Sequence, residues 1–261
     1  MITVTVTNMI TATVTAMATA TALMVIVMTD RAAPPTLLRL LAWMSPAFPT
    51  GAFSFSHGLE TAVEEGRVKR VDDLVAYATT VVTRGAGWLD AALLVLAYRA
   101  VETGDAAALR DVAERAAAMR GSAELALESR VQGRAFLATV RAAWPSPGIE
   151  SSAAALEHDG IETTHPIAVA LCAASAGLRL DDTLQAFLHG VAANLVSAGV
   201  RVIPLGQTDG QRALAALEPV VAGAAARALD TGTVDDLGAA APLIDLLSIR
   251  HETQYTRLFR S

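Results

Sequence analysis

The hydrophobic pattern changes character once, near residue 31, and then keeps a helical period to about residue 247. Up to residue 30, Thr alternates with apolar residues in Thr3-Val4-Thr5-Val6-Thr7 and again in Thr11-Ala12-Thr13-Val14-Thr15. That is the period-two pattern of a strand, but no second strand pattern exists elsewhere to pair with it. Leu23 to Met28 is apolar yet far too short to span a bilayer. The stretch also lacks the basic start of a signal peptide. Residues 1–33 are therefore read as a low-complexity, Thr-rich, flexible extension, with Arg31-Ala-Ala-Pro-Pro35 as the hinge into the helical part of the chain.

From Thr36 on, the spacing predicts helices. Leu37 to Met44 is a short apolar one, stopped by Ser45-Pro46. After a loop, Ser56 caps His57 to Glu65, with Gly66 as the stop. Asp72 and Asp73 open a long pattern with Leu74, Ala78, Val81 and Val82 on one face. Gly85 and Gly87 break or bend it before it resumes to about Glu102. Further helices are predicted from Asp105 to Met119 and from Ala123 to Trp144. Residues 145–164 read as a polar connector with one helical turn at Ser152 to Glu157. Pro166 suits a helix start, and Ile167 to Ala176 is so apolar that this helix must be buried on most sides. Asp181 caps Thr183 to Val202. Gln211 to Leu229 comes next, with Pro219 kinking it, and Asp235 to Leu247 is a last apolar stretch. The count is about eight to ten helices and no strand after residue 30. That predicts an all-α single domain over 34–247, then a flexible polar, basic tail, 248–261, that carries Tyr255 and Phe259 with little core pattern.

Composition narrows the function classes. Hydrophobic residues make up 53% of the 261, much of it Ala, which favours close helix contacts. A net charge of -6 with Lys69 as the only lysine argues against a nucleic-acid partner. Cys172 is the single cysteine, so an intrachain disulfide or a cysteine metal cluster is excluded, and a cytoplasmic location fits.

The stretch 45–60 stands out between two helical patterns. It holds two prolines, two glycines and Phe48, Phe53 and Phe55, too many aromatics for a solvated loop. Ser54, His57 and Glu60 lie three apart, but no nucleophile elbow or parallel sheet supports a hydrolase, so Ser54 and Ser56 are read as helix caps. His251-Glu252-Thr-Gln-Tyr255 starts like a zinc motif but ends on Tyr255. Lys69 has no glycine cradle before it, so no P-loop exists there. His57, His158, His165, His189 and His251 share no ligand spacing. Glu128 is expected to pair with an arginine, either along its helix or in a buried or interface ion pair. Asn194 and Arg201, polar in an apolar helix, meet a buried partner or face a groove. A helical domain with two unusual loops and no catalytic constellation suits an interaction protein rather than an enzyme.

Three segments, in order, resemble the urease accessory protein UreF family. They are Leu38 to Glu60, then Asn194 to Arg201 running into Pro204-Leu-Gly-Gln-Thr-Asp-Gly-Gln211, and the tail Arg250 to Arg260. Glu128-Ser-Arg130 is a weaker fourth. The resemblance covers about residues 36–261, departing at Ala52, where the family often has a second glycine. It implies an all-α fold, a homodimer, and assembly with UreD (also called UreH) and the GTPase UreG to deliver nickel into apo-urease. It implies no catalytic residues, no resident metal and no cofactor, nickel being handled in transit by the complex. It also implies partner-binding residues. In the first loop these are Pro46, Pro49, Gly51, Phe53, Ser56, Gly58 and Glu60. Mid-chain they are Glu128, Arg130, Asn194, Arg201, Gln207, Asp209 and Gln211. In the tail they are Arg250, Glu252, Tyr255, Arg257, Phe259 and Arg260. A second reading is a helical regulator that acts directly on GTP hydrolysis by UreG. No membrane and no nucleic acid is implied.

Overall fold

The computed structural model describes residues 36–260. The reading of residues 1–33 lies outside them. Chain contacts divide at Leu40, and the unit from Leu40 onward carries the core and the site. The described residues are all helical apart from their connections. In order they form α1 (Thr36–Trp43), a 3-10 turn (Ala52–Ser54), α2 (Leu59–Glu64), α3 (Val71–Arg84), α4 (Ala86–Thr103) and α5 (Ala106–Ala118). Then come α6 (Ala123–Ala143), α7 (Pro147–His158), α8 (His165–Ser175), α9 (Leu180–Val202), α10 (Gln207–Ala228), a second 3-10 turn (Val234–Asp236) and α11 (Pro242–His251).

The core is built around α4 and α8. In α4 every residue from Ala91 to Tyr98 is buried, and in α8 the run Pro166 to Ala173 is buried throughout. A helix apolar on all sides must be enclosed by other helices. Here α4 packs on α3, α5, α8, α9 and α10, and α8 packs on α6 and α7 as well. Each Leu or Ile so enclosed contributes about 1.5–3 kcal/mol by leaving water. The apolar stretch Val71–Thr103 has the length and hydropathy of a membrane span. It is interrupted at Gly85, and 67% of its most apolar window is buried among its own helices.

Small residues set the close approaches. A Cβ on Gly133 of α6 would collide with the Thr163 carbonyl and with the peptide entering α8. One on Gly199 of α9 would lie 2.5 Å from a methyl of Leu74. The sequence places such residues without revealing which helices they join.

Several boundaries differ from the spacing. Residues 145–164 hold a three-turn helix, α7, in place of a single turn; Pro147 occupies its first turn, where proline is welcome, and Ile149, Ala153 and Leu156 face the core. The chain enters α2 only at Leu59, with Gly58 rather than Ser56 at its N-cap, because Ser56 is wholly buried and Gly58 takes the left-handed conformation, φ 75°. The last helix runs on to His251, so residues 248–251 belong to α11. Asp105 does cap α5, its side chain accepting from the Ala107 and Ala108 amides.

Candidate functional site

The first loop meets the chain's end at one polar cluster. Glu60, in the first turn of α2, lies against the C-terminal residues. Its Oε1 accepts the Leu258 amide at 2.7 Å, its Oε2 the Phe259 amide at 3.0 Å. The same Oε2 stands 3.1 Å from Nε2 of His251. On the other side of that imidazole, Nδ1 lies 2.8 Å from Glu124 Oε2 at the start of α6. Glu124 Oε1 in turn accepts from Arg257 at 2.9 Å. His251 is fully buried. Burial raises the pKa of Glu124, against the pull of His251 and Arg257.

Around this cluster the two segments interlock. Ser122 and Ser248 hydroxyls meet at 2.7 Å, Glu252 accepts the Ala123 amide at 2.9 Å, and Thr61 donates to Gln254 at 2.7 Å. Arg250 pairs with Glu65 at 2.8 Å. The Arg260 amide donates to the Ser54 carbonyl at 2.7 Å. Phe259 is buried, with the Arg201 guanidinium 4.3 Å above its ring, a cation–π contact. A Cβ at Gly58 would lie 2.6 Å from the Ser248 nitrogen, so only glycine lets the loop lie on α11 while holding positive φ. Asn194 of α9 donates to the Phe55 carbonyl at 3.2 Å, so the second segment supports the first.

A second polar cluster lies in the interior. His57 has φ 54°, and its carbonyl accepts from Tyr77 at 2.7 Å. Its Nε2 pairs with Glu128 at 3.1 Å, and Glu128 also accepts from Gln132 at 2.7 Å. Arg120 pairs with Asp90 at 2.6 Å. These groups, with Ser129 and His165, surround a cavity of about 40 Å³, large enough for water. His57 Nδ1, Arg120 Nη2 and Ser129 Oγ are buried there without a protein partner among the described residues. Burial opposes charge on His57, but the adjacent Glu128, aided by Asp90, outweighs it and raises the pKa. Burial pushes His165 down to about 4, so it is neutral at pH 7, and pushes Cys172 up to about 12, an inert thiol.

Most of the residues singled out in the sequence fall at these places, with corrections. Ser54, His57 and Glu60 do not form a triad: His57 turns to Glu128, Glu60 to His251, and Ser54 offers its backbone carbonyl to Arg260. Glu128 pairs with His57 and accepts from Gln132, and Arg130 makes an exposed pair with Glu162 at 3.1 Å. Of the three loop phenylalanines, Phe55 is buried and Phe48 packs on Phe136 and Trp144, but Phe53 is exposed. Pro46, Pro49 and Gly51 are not buried. Gln207, Asp209 and Gln211 stay on the first turns of α10, Asp209 bonding locally to the Gly206 amide and to Arg212. Tyr255 projects fully into solvent and Leu258 is 63% exposed.

The residues missed include Glu124, Thr61 and Gln254 at the outer cluster and Asp90, Arg120 and Gln132 at the interior one. Glu124 reads as an ordinary first-turn acid, and only the return of the C-terminus reveals its partners. Among the described residues no three His, Cys, Asp or Glu side chains are grouped to hold a metal ion. Glu60 and Glu124 lie on opposite sides of the His251 ring and cannot converge on one.

The UreF family model matches residues 68–218. The chain is 50% identical over 227 residues to the urease accessory protein UreF of Bradyrhizobium sp. strain BTAi1, covering 87% of this chain and 92% of that one. It is 53% identical over 226 residues to that of Rhodopseudomonas palustris strain HaA2, covering 87% and 94%. Against that of Granulibacter bethesdensis it is 48% identical over 233 residues, covering 89% and 97%. These relatives are named accessory proteins, and the chain is accordingly not an enzyme. On the family model and on this level of identity over 87% of its length, the chain belongs to the UreF family of urease accessory proteins.

Proposed function

We propose that this chain is a scaffold and regulator that assembles with UreD (UreH) and the GTPase UreG, as a homodimer in the cytoplasm, and helps deliver nickel into apo-urease. Nickel is cargo of the complex in this reading, not a resident cofactor of this chain. The observation that carries it is the joining of the first loop, α9 and the tail into one surface. Segments far apart in sequence meet at Glu60, and the surface they form leaves Phe53, Tyr255 and Leu258 exposed beside Arg257 and Arg260. Aromatic and arginine side chains presented on an ordered base are the usual anchors of a protein interface. A deep substrate pocket with converging nucleophile and base has no counterpart at this surface.

The test is co-purification with UreD and UreG, comparing the full chain with one ending at Gln254. That cut spares α11 and its buried His251 but removes Tyr255, Leu258 and Phe259. Loss of UreD supports the reading, and undiminished binding removes the tail from it. A strain deleted for this chain should make urease that lacks nickel; fully loaded urease there would reject the function.

Direct regulation of GTP hydrolysis is the second reading. Arg257 and Arg260 are exposed and could offer a guanidinium to a phosphoryl group. Equal single-turnover GTP hydrolysis by UreG with and without this chain would rule it out.

A further inference from the structure

At the C-terminal strap, residues 252–260, the polar cluster is complete, since both ring nitrogens of His251 face a glutamate. The interior cluster is not. Arg120 donates through Nε to the Ala116 carbonyl at 2.8 Å and through Nη1 to Asp90 at 2.6 Å, but its Nη2 meets no protein acceptor among the described residues. His57 spends Nε2 on Glu128 and leaves Nδ1 over. Ser129 Oγ is the third such atom. All three side chains are well inside: that of Arg120 is 5% exposed, that of His57 12%, and Ser129 is buried. A buried polar atom without a partner carries its full desolvation penalty, and a charged one carries the most.

These atoms belong to residues that line one cavity of about 40 Å³, with Ala86, Leu125 and Val191 as its apolar walls. One water needs about 10–15 Å³ and two to four polar partners, and both conditions are met. The donor set also chooses among small ligands. Arg120 Nη2 can only donate, whereas a serine hydroxyl can do either. With its Nε2 proton toward Glu128, His57 presents a lone pair at Nδ1 when neutral and an N–H when charged. Water, donor and acceptor at once, suits both states. A halide suits only the charged one. It would also add a negative charge beside Glu128 and Asp90, which already balance Arg120 and a charged His57. A cation would face the Arg120 guanidinium.

We propose that this cavity is a built water site, in which at least one ordered water bridges His57 Nδ1 and Arg120 Nη2, with the Ser129 hydroxyl as a further partner. The water joins the His57–Glu128 and Arg120–Asp90 pairs into one network. The consequence falls on the first loop. His57 holds a positive φ of 54°, its carbonyl accepting from Tyr77 and its Nε2 paired with Glu128. A backbone conformation of this kind persists only where the surroundings over-determine it. The water adds a third fastening, to Arg120 in the connection between α5 and α6. The site is thus part of what holds residues 45–60 in shape. It concerns this chain alone and stands whether or not UreD binds.

The experiment is a high-resolution crystal structure of the full-length chain, grown with bromide as the sole halide and recorded at the bromine edge. The expected result is density at hydrogen-bond distance, about 2.7–3.2 Å, from both His57 Nδ1 and Arg120 Nη2, directly or through a second water in the same cavity, with no anomalous signal. An anomalous peak there would mean a bound anion and overturns the water. An empty cavity, or the three atoms turned to protein partners, overturns the site. Urea denaturation gives the second test. Ser129→Ala removes one partner and leaves the water its room, whereas Ser129→Val carries methyl groups into the cavity and displaces it. Displacement leaves Arg120 Nη2 and His57 Nδ1 buried without partners, so the Val variant should have a folding equilibrium constant at least about tenfold below that of the Ala variant. A dry cavity would instead gain from being filled. A deficit of about threefold or less, which helix propensity alone explains, overturns the proposal. If the Val variant does not fold, the crystal structure of the unaltered chain decides the matter.

Discussion

The two buried histidine–glutamate clusters use the same chemistry for opposite ends. His57 and Glu128 sit in the interior beside Asp90 and Arg120, walled in by α4, α6 and α8. His251, Glu60 and Glu124 sit where a chain terminus folds back on a loop. The interior cluster leaves His57 Nδ1, Arg120 Nη2 and Ser129 Oγ without protein partners among the described residues, around a small cavity. At the outer cluster both imidazole nitrogens are engaged, and two of the bonds to Glu60 come from backbone amides of the tail. A polar group locked among helices can be lost only by unfolding the domain. A group that holds a strap can be lost by moving the strap alone. The first is tied to the stability of the domain and the second to the position of the strap.

Substitutions should separate the two, and glycines give the largest effects. Gly58→Ala introduces a Cβ at 2.6 Å from backbone of α11 at a positive φ. It should cost several kcal/mol, since left-handed geometry alone costs about 1–2 kcal/mol and the clash adds to it. Gly51→Ala has a similar φ of +77° but open space, so about 1–2 kcal/mol is expected. Urea denaturation of both variants checks this; equal losses would mean that the loop does not rest on α11.

Next in size is Glu128→Ala. It strips the partner from buried His57 and should cost about 3–5 kcal/mol, as breaking a buried pair does. The pH dependence has a definite sign. His57 is raised in the folded state, so its contribution is fully present below the unfolded value near 6.5 and is lost as pH rises through the folded value. Glu128→Gln should flatten that part of the stability–pH curve. An unchanged curve would show that His57 is not charged by Glu128.

Phe259→Ala works at the outer cluster. Removing a buried Phe costs about 3–5 kcal/mol in a rigid core, but a strap can only lose its own docking energy. The midpoint of global unfolding should therefore barely move, while trypsin cleavage after Arg257 speeds up at least tenfold. A large fall in the midpoint instead would make the tail part of the core. Smallest is Arg130→Ala. Its pair with Glu162 is exposed, the side chains keeping 40% and 55% of their accessibility, and less than about 1 kcal/mol is expected.

The same contrast explains what could be read from the sequence. The all-α fold was legible because it rests on local periodicity: Ile167 to Ala173 is apolar on all faces and is indeed buried. The α7 helix was obscured because Pro147, Gly148, Ser151 and Ser152 look like connector residues, while only Ile149, Ala153 and Leu156 carry its buried face. The loop at 45–60 was visible as unusual from its glycines and phenylalanines. Its partners were not, since Glu60 meets His251 across 191 positions and Glu124 meets it across 127. The tail's polar look concealed two buried residues, His251 and Phe259, because an imidazole between two glutamates and a phenyl under a guanidinium leave no periodic signature. Small residues such as Gly58 and Gly133 were legible as glycines but not as contact points.

The measurement that bears most directly on the central claim is UreD capture by a Tyr255→Ala/Leu258→Ala double variant. Both side chains are exposed, Tyr255 completely, and the Leu258 amide that bonds Glu60 is kept. Folding and strap closure should be unchanged by circular dichroism and by amide exchange. UreD is expected no longer to co-purify with this variant. Capture equal to the wild type, with the strap closed in both, would contradict the claim that this joined loop and tail surface is where the partner binds.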